Sequence, residues 1–284
     1  MGYGFFVADG AVCDNDDISR SFVLMRQERK THSQNDAPCP NGRSSRISIR
    51  EDDGFTVHVK EDGYDYFSLY KRLRQGEIAG KVLLHDDDEH FVHLVRVDGR
   101  AFVYKRVGAA DANIETTLWQ FFTGPFYSRL MRRVNKATAT GCDVVPEMYL
   151  VAEKMRGRLC FDKYLLLEFV EGTPMNELDR MEPYREEIAE AFRNMHAHGL
   201  SLGNVKTGNM VLSGNRVRFI DLSTRCTQFT GRAKDVLRLK SMFDIDIPTT
   251  GIRDRLALWY VGSLFWFSRT RNRIRVALGL KKPG

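Results

Sequence analysis

The pair Asp98-Gly99, set between Phe91-Val-His-Leu-Val-Arg-Val97 and Ala101-Phe-Val-Tyr-Lys-Arg-Val107, does most to limit what this chain can fold into. Two runs rich in β-branched and aromatic residues, joined by Asp-Gly, specify a tight antiparallel hairpin, because both turn residues accept positive φ. Phe55-Thr-Val-His-Val59 and Lys81-Val-Leu-Leu84 add strands on the same period of two, and 66–75 between them reads as helix. A helical stretch follows on Leu118, Phe121 and Phe122, then Phe126, Leu130, Met131 and Val134, and strands are predicted over 147–153 and 164–170. Beyond Gly172 the period changes. Ile188, Ala191, Phe192 and Met195 recur at helical spacing between Pro183 and His196. A loop over 199–209 then leads to two short strands, 210–212 and 217–220, split by Ser213-Gly-Asn215, and the rest is mostly helical. A strand-rich half followed by a helix-rich half predicts an α+β chain of two lobes, with the boundary after Val170.

A length of 284 residues fits two domains of roughly 150. With 43% apolar and 28% charged residues, the composition excludes a disordered chain and a collagen-like fibre. The five cysteines are odd in number and never spaced as CxxC, so neither a disulfide framework nor a structural zinc site is expected, and a reducing compartment is. Residues 1–47 read as an irregular arm, polar and proline-bearing from Thr31 to Ser45, with Met25 a second candidate start. No secretory leader and no apolar segment of about 20 residues is evident. The net charge of +6 is unevenly placed, since eight Lys and Arg stand against one Asp from Arg253 onward. The expected divisions are 1–47, an N-lobe over 48–170, a C-lobe over 171–252 and a basic, aromatic tail over 253–284.

Four features carry chemistry. Lys105 lies on the third strand of the meander, and Leu165-Leu-Leu-Glu-Phe-Val-Glu-Gly172 is an apolar strand entering an acidic connector. Asn204-Val-Lys-Thr-Gly-Asn209 follows the helix that ends in His196-Ala-His-Gly199, and Asp221 closes a short strand. In this order they resemble the protein-kinase set of strand lysine, hinge, catalytic loop and metal-binding aspartate. Phosphoryl transfer asks a protein for positioning and charge neutralisation rather than covalent help. A strand lysine suits α- and β-phosphates, and the hinge backbone at Glu168 and Val170 suits an adenine edge. Asn209 and Asp221 offer hard oxygens for Mg²⁺, and Lys206 suits a moving γ-phosphate. His196 and His198, at a helix end, read as cap or core residues in preference to a metal pair.

The stretches GFTVHVKEDGYDYFSLYKRL (54–73), LLLEFVEG (165–172), MHAHGLSLGN (195–204), GN (208–209), FIDLSTRCT (219–227) and RAKDVLRL (232–239) together resemble the bacterial lipopolysaccharide core heptose(II) kinase family. The resemblance implies a two-lobed, protein-kinase-like fold that uses ATP and Mg²⁺ to phosphorylate an inner-core heptose at the cytoplasmic face of the inner membrane. It implies catalytic roles for positions 204, 206, 209 and 221, nucleotide contacts at Lys105, Glu168, Val170, Asn209 and Asp221, and a metal held by Asn209 and Asp221. No nucleic-acid partner is expected, and the chain reads as a monomer.

Three departures accompany the resemblance. Asn204 stands where the family carries aspartate, and an amide is no general base near neutral pH. Ser128 stands where a family glutamate would pair with the lysine, with Glu115 as a substitute. The loop Asp86-Asp-Asp-Glu89 is acidic where phosphate is expected nearby. A pseudokinase and an effector-type protein kinase are the alternatives these departures and the arm raise. In the tail, Leu256-Ala-Leu-Trp-Tyr-Val-Gly-Ser-Leu-Phe-Trp-Phe267 precedes Arg269, Arg271, Arg273, Arg275, Lys281 and Lys282. That pattern predicts either a helix packed on the C-lobe or contact with an anionic membrane surface.

Overall fold

The computed structural model describes residues 46–86, 90–108, 124–157, 159–222, 228–248 and 251–277. The expectations for the N-terminal arm, Leu118, Phe121, Phe122, Glu115, most of the acidic loop and Lys281 and Lys282 lie outside these residues. Contacts divide the chain into two compact units. One runs up to Arg132 and takes in Met148–Phe169; the other comprises Arg133–Glu147 and everything from Val170.

The first unit is built on a seven-stranded sheet in the order β1-β2-β6-β7-β5-β4-β3. Its strands are β1 (Ile47–Asp52), β2 (Phe55–Lys60), β3 (Lys81–Asp86), β4 (His90–Val97), β5 (Arg100–Val107), β6 (Met148–Arg156) and β7 (Leu159–Glu168). Every pairing is antiparallel. The Asp98-Gly99 turn has φ of 52° and 72°, as a two-residue hairpin requires. The same device at Asp53-Gly54 joins β1 to β2, a strand before the one where the sequence pattern begins the sheet.

Helix α1 (Tyr66–Arg74) starts where Asp65 accepts hydrogen bonds from the Ser68 N–H (3.1 Å) and hydroxyl (2.7 Å), which hold its carboxyl below the usual range. Tyr66, Leu69, Tyr70 and Leu73, one face of α1, join Phe55, Val57, Phe102, Tyr104, Tyr164 and Leu166 in an aromatic-rich core. Period-two alternation along β5 buries Phe102 and Tyr104 there and turns Lys105 to the opposite face, opposite Leu165 of β7 and Val92 of β4.

Helix α2 (Tyr127–Ala139) passes from the first unit into the second. In the second unit, β8 (Thr173–Pro174), β9 (Met210–Ser213) and β10 (Arg216–Phe219) form a small sheet, and the helices are α3 (Arg185–Ala197), α4 (Gln228–Phe243) and α5 (Ile252–Ala277). The α+β order read from periodicity therefore holds. Gly172 lets the connector lie against β9, where an added Cβ would collide with the Leu212 carbonyl oxygen and with Val211. Gly172→Ala is accordingly expected to destabilise the chain by about 1–3 kcal/mol, because backbone must move to admit it; urea unfolding of the two proteins checks this.

Candidate active site

The catalytic-loop candidates lie together in the second unit. Helix α3 buries Ile188, Ala191, Phe192 and Met195, and its last turn carries His196 into the core against Phe192. Asp235, on α4 and wholly buried, lies 3.0 Å from His196 Nε2. A carboxylate only accepts, so Nε2 bears the hydrogen. The same carboxylate accepts from the backbone N–H of Leu202 (2.9 Å) and of Gly203 (2.7 Å). One buried side chain on α4 thus fixes both the end of α3 and the entry to the loop. His198 caps α3 through its contact with the Asn194 carbonyl (2.9 Å). The two histidines are a core residue and a cap, as the sequence suggested. Asp235 is thus a structural anchor, wholly buried and out of reach of an acceptor hydroxyl.

From Gly203 the loop exposes the Asn204 side chain and buries Val205. It closes in a 3₁₀ turn, Thr207–Asn209. Asn209 is almost fully buried, and its Nδ2 donates to the Asn204 carbonyl oxygen (3.1 Å). Its own carbonyl accepts from the Ile220 N–H (3.1 Å), which ties the loop to the end of β10. Through the Ile220 N–H, the Asn209 backbone is tied to the residue just before the half-buried Asp221. Lys206 is half-buried between the two asparagines in sequence. Phe219, whose N–H reaches the Val144 carbonyl (2.8 Å), packs on Phe192 and holds β10 against α3.

The remaining candidates belong to the connector and the first unit. Val170 is buried at the start of the second unit, and the Phe169 N–H is directed at the Ala101 carbonyl. Glu168 ends β7 opposite Phe102, and Lys105 is half-buried on β5. Ser128, where a glutamate was sought, is buried in the first turn of α2 and is joined there by a carboxylate from another element. Glu153 of β6 accepts from the Tyr127 N–H (3.1 Å) and from Ser128. It pairs in register with Lys163 of β7, and burial pushes its carboxyl up. Sequence reasoning missed Glu153, because an isolated acid in a strand carries no signal of its own. The cysteines Cys142 and Cys160 are buried and unbridged, and burial pushes the Cys160 thiol up to about 12.

The model of the lipopolysaccharide core biosynthesis protein WaaY matches residues 46–274, a span that contains all of this geometry. The chain belongs to that family. Two relatives from Escherichia coli, one of them from strain K12, are named lipopolysaccharide core heptose(II) kinase WaaY. They are 23% identical over 188 residues and 24% identical over 190, each alignment covering 66% of this chain and 82% of the relative. Among solved structures, one described as WaaP in complex with acyl carrier protein aligns with 76% of this chain and 98% of its own, at 18% identity and a TM-score of 0.41.

Proposed function

We propose that this member of the WaaY family transfers the γ-phosphoryl group of ATP to a hydroxyl of a heptose in the lipopolysaccharide inner core. The observation that carries the reading is the pinned amide. Asn209 is held through its Nδ2 and its carbonyl, and Asp221 follows the Ile220 that bonds that carbonyl, so both side chains offer hard oxygens from a tied segment of backbone. Such a pair fits Mg²⁺, which keeps water and takes its other ligands from phosphate. Among the described residues no cluster of three or more His, Cys, Asp or Glu offers an all-protein metal cage, so a shared nucleotide-borne ion suits the site better than a resident one.

In this reading Lys105 neutralises the α- and β-phosphates, the backbone at Glu168 and Val170 meets the adenine edge, and Lys206 faces the transferring phosphoryl group. Asn204 orients the acceptor hydroxyl. A glycolipid acceptor fits action at the cytoplasmic face of the inner membrane, and the reading takes the chain as a monomer with no nucleic-acid partner. A second reading, nucleotide binding without turnover, is favoured by the exposed amide of Asn204 where a base would act.

Mass spectrometry of core oligosaccharide from a deletion strain tests the reading. Loss of one heptose phosphate is expected, restored by the wild-type gene and not by Lys105→Ala or Asp221→Ala, each of which should slow transfer by about 10²-fold or more. Mg-ATP should also raise the melting temperature, by mass action on the folded state. An unchanged phosphate count with a retained melting shift would establish the second reading.

A further inference from the structure

Helix α5 divides an apolar run into two opposed faces. Ala257 and Val261 are buried against Ala233 and Leu237 of α4, and Asp254 faces Arg232 of α4 at 3.5 Å. On the far side, Ile252, Leu256, Trp259 and Trp266 recur at intervals of four, three and seven residues and so form one stripe. That stripe is open to solvent, with Trp259 74% exposed and Trp266 68%. Tyr260 borders it, and Arg253 and Arg255 are exposed on either side. A globular chain seldom leaves several large apolar side chains in one row unless something covers them.

We infer that this face of α5 is a membrane-docking surface that lies in the plane of an anionic bilayer, with Leu256 and Trp259 in the headgroup region and Arg253 and Arg255 on lipid phosphate. Four observations fix the occupant. Tryptophan and tyrosine rings favour the level of the headgroups. The eight basic residues from Arg253 onward stand against one acid, and that acid, Asp254, is turned toward Arg232. Among the described residues no helix is long and apolar enough to cross a membrane, so the helix lies on the surface and does not span. A second copy of this chain would bring two strongly basic helices together, which like-charge repulsion opposes. The helix also has a mechanical role. It packs on α4, and α4 carries Asp235, so the docked surface and the loop entry at Leu202 and Gly203 share one rigid element. The inference rests on the kinase reading for its purpose and on the packing and exposure of α5 against α4 for its evidence.

Vesicle binding tests it. Full-length protein should bind vesicles of phosphatidylglycerol and phosphatidylethanolamine, with a blue shift in tryptophan emission, and should ignore phosphatidylcholine. Affinity should fall by about tenfold or more as salt rises from low to high, since screening shortens the reach of the cations. The variant L256S/W259S should lose about tenfold or more in affinity at unchanged melting temperature, because both side chains already face water. The variant R253Q/R255Q should weaken binding and flatten its dependence on salt. Wild-type protein that ignores anionic vesicles overturns the inference, as does L256S/W259S that binds them equally well. A wild-type dimer that L256S/W259S dissolves, with vesicle affinity unchanged, overturns it in favour of self-association. On a deacylated core oligosaccharide, L256S/W259S should transfer phosphate at the wild-type rate while slowing on membrane-embedded acceptor. Wild-type protein inactive on the soluble acceptor would strike the kinase reading and leave the vesicle result standing.

Discussion

Asp235→Ala should unfold the second unit more readily than any other single change proposed for it, at a cost of about 3–5 kcal/mol. The side chain is wholly buried and accepts from three donors, His196 Nε2, Leu202 N and Gly203 N. Truncation leaves two backbone N–H groups and a ring N–H without their acceptor, and each buried orphan costs about 1–3 kcal/mol. Asp235→Asn keeps one acceptor oxygen and should cost less. His196→Ala removes one donor and should fall between Asp235→Asn and wild type in its effect on the loop. The melting temperatures of the three variants should rank in that sense, with Asp235→Ala lowest. Transfer should fall with them, because the loop from Leu202 to Asn209 hangs from this carboxylate. An Asp235→Ala protein that melts with wild type would remove Asp235 from its role as anchor.

The strand half was legible where hydrophobic alternation is clean. Asp98-Gly99 announced its hairpin, and Asp53-Gly54 carried the same message for β1, although Ile47-Ser-Ile-Arg50 is too short and polar to read as a strand alone. Strand β7 begins at Leu159, five residues before its apolar run. Asp162 and Lys163 hide that start, since each finds its partner across the sheet. Asp162 bridges Arg106 at 2.8 Å, and Lys163 pairs in register with Glu153. Pairing satisfies charges that a sequence pattern scores as solvent-facing.

The candidate site was read as an order of residue types, and of those Asn204, Lys206 and Asn209 stand on one short loop that a hydrogen bond ties to the residue before Asp221. The anchoring role of Asp235 was not legible, because its partners lie 32 to 39 residues away and only the packing of α3 and α4 brings them together. The apolar run near the C-terminus was visible as a run, but its division into a buried and an exposed face appears only once α4 fixes the rotation of the helix.

Asn204→Asp tests the chemistry most directly. Its backbone carbonyl already accepts from Asn209 Nδ2, and the preceding Gly203 N–H is held by Asp235, so the loop positions this side chain whatever its identity. Amide and carboxylate have nearly the same shape, and the side chain is exposed, so the substitution should leave the melting temperature close to wild type. What changes is basicity. A carboxylate can take the proton of the acceptor hydroxyl as the phosphoryl group arrives, and general bases of this kind are worth about 10²- to 10⁴-fold. A loop evolved around asparagine will not place the new base ideally, so a gain of about 10- to 10³-fold in turnover is expected, with ATP affinity unchanged. The pH–rate profile should acquire an acid limb, with the rate falling as pH drops through the carboxylate range near about 4. A variant that binds Mg-ATP as wild type does and still turns over no faster would show that a base at position 204 does not limit this protein, leaving a site with its base elsewhere or a nucleotide-binding protein without turnover.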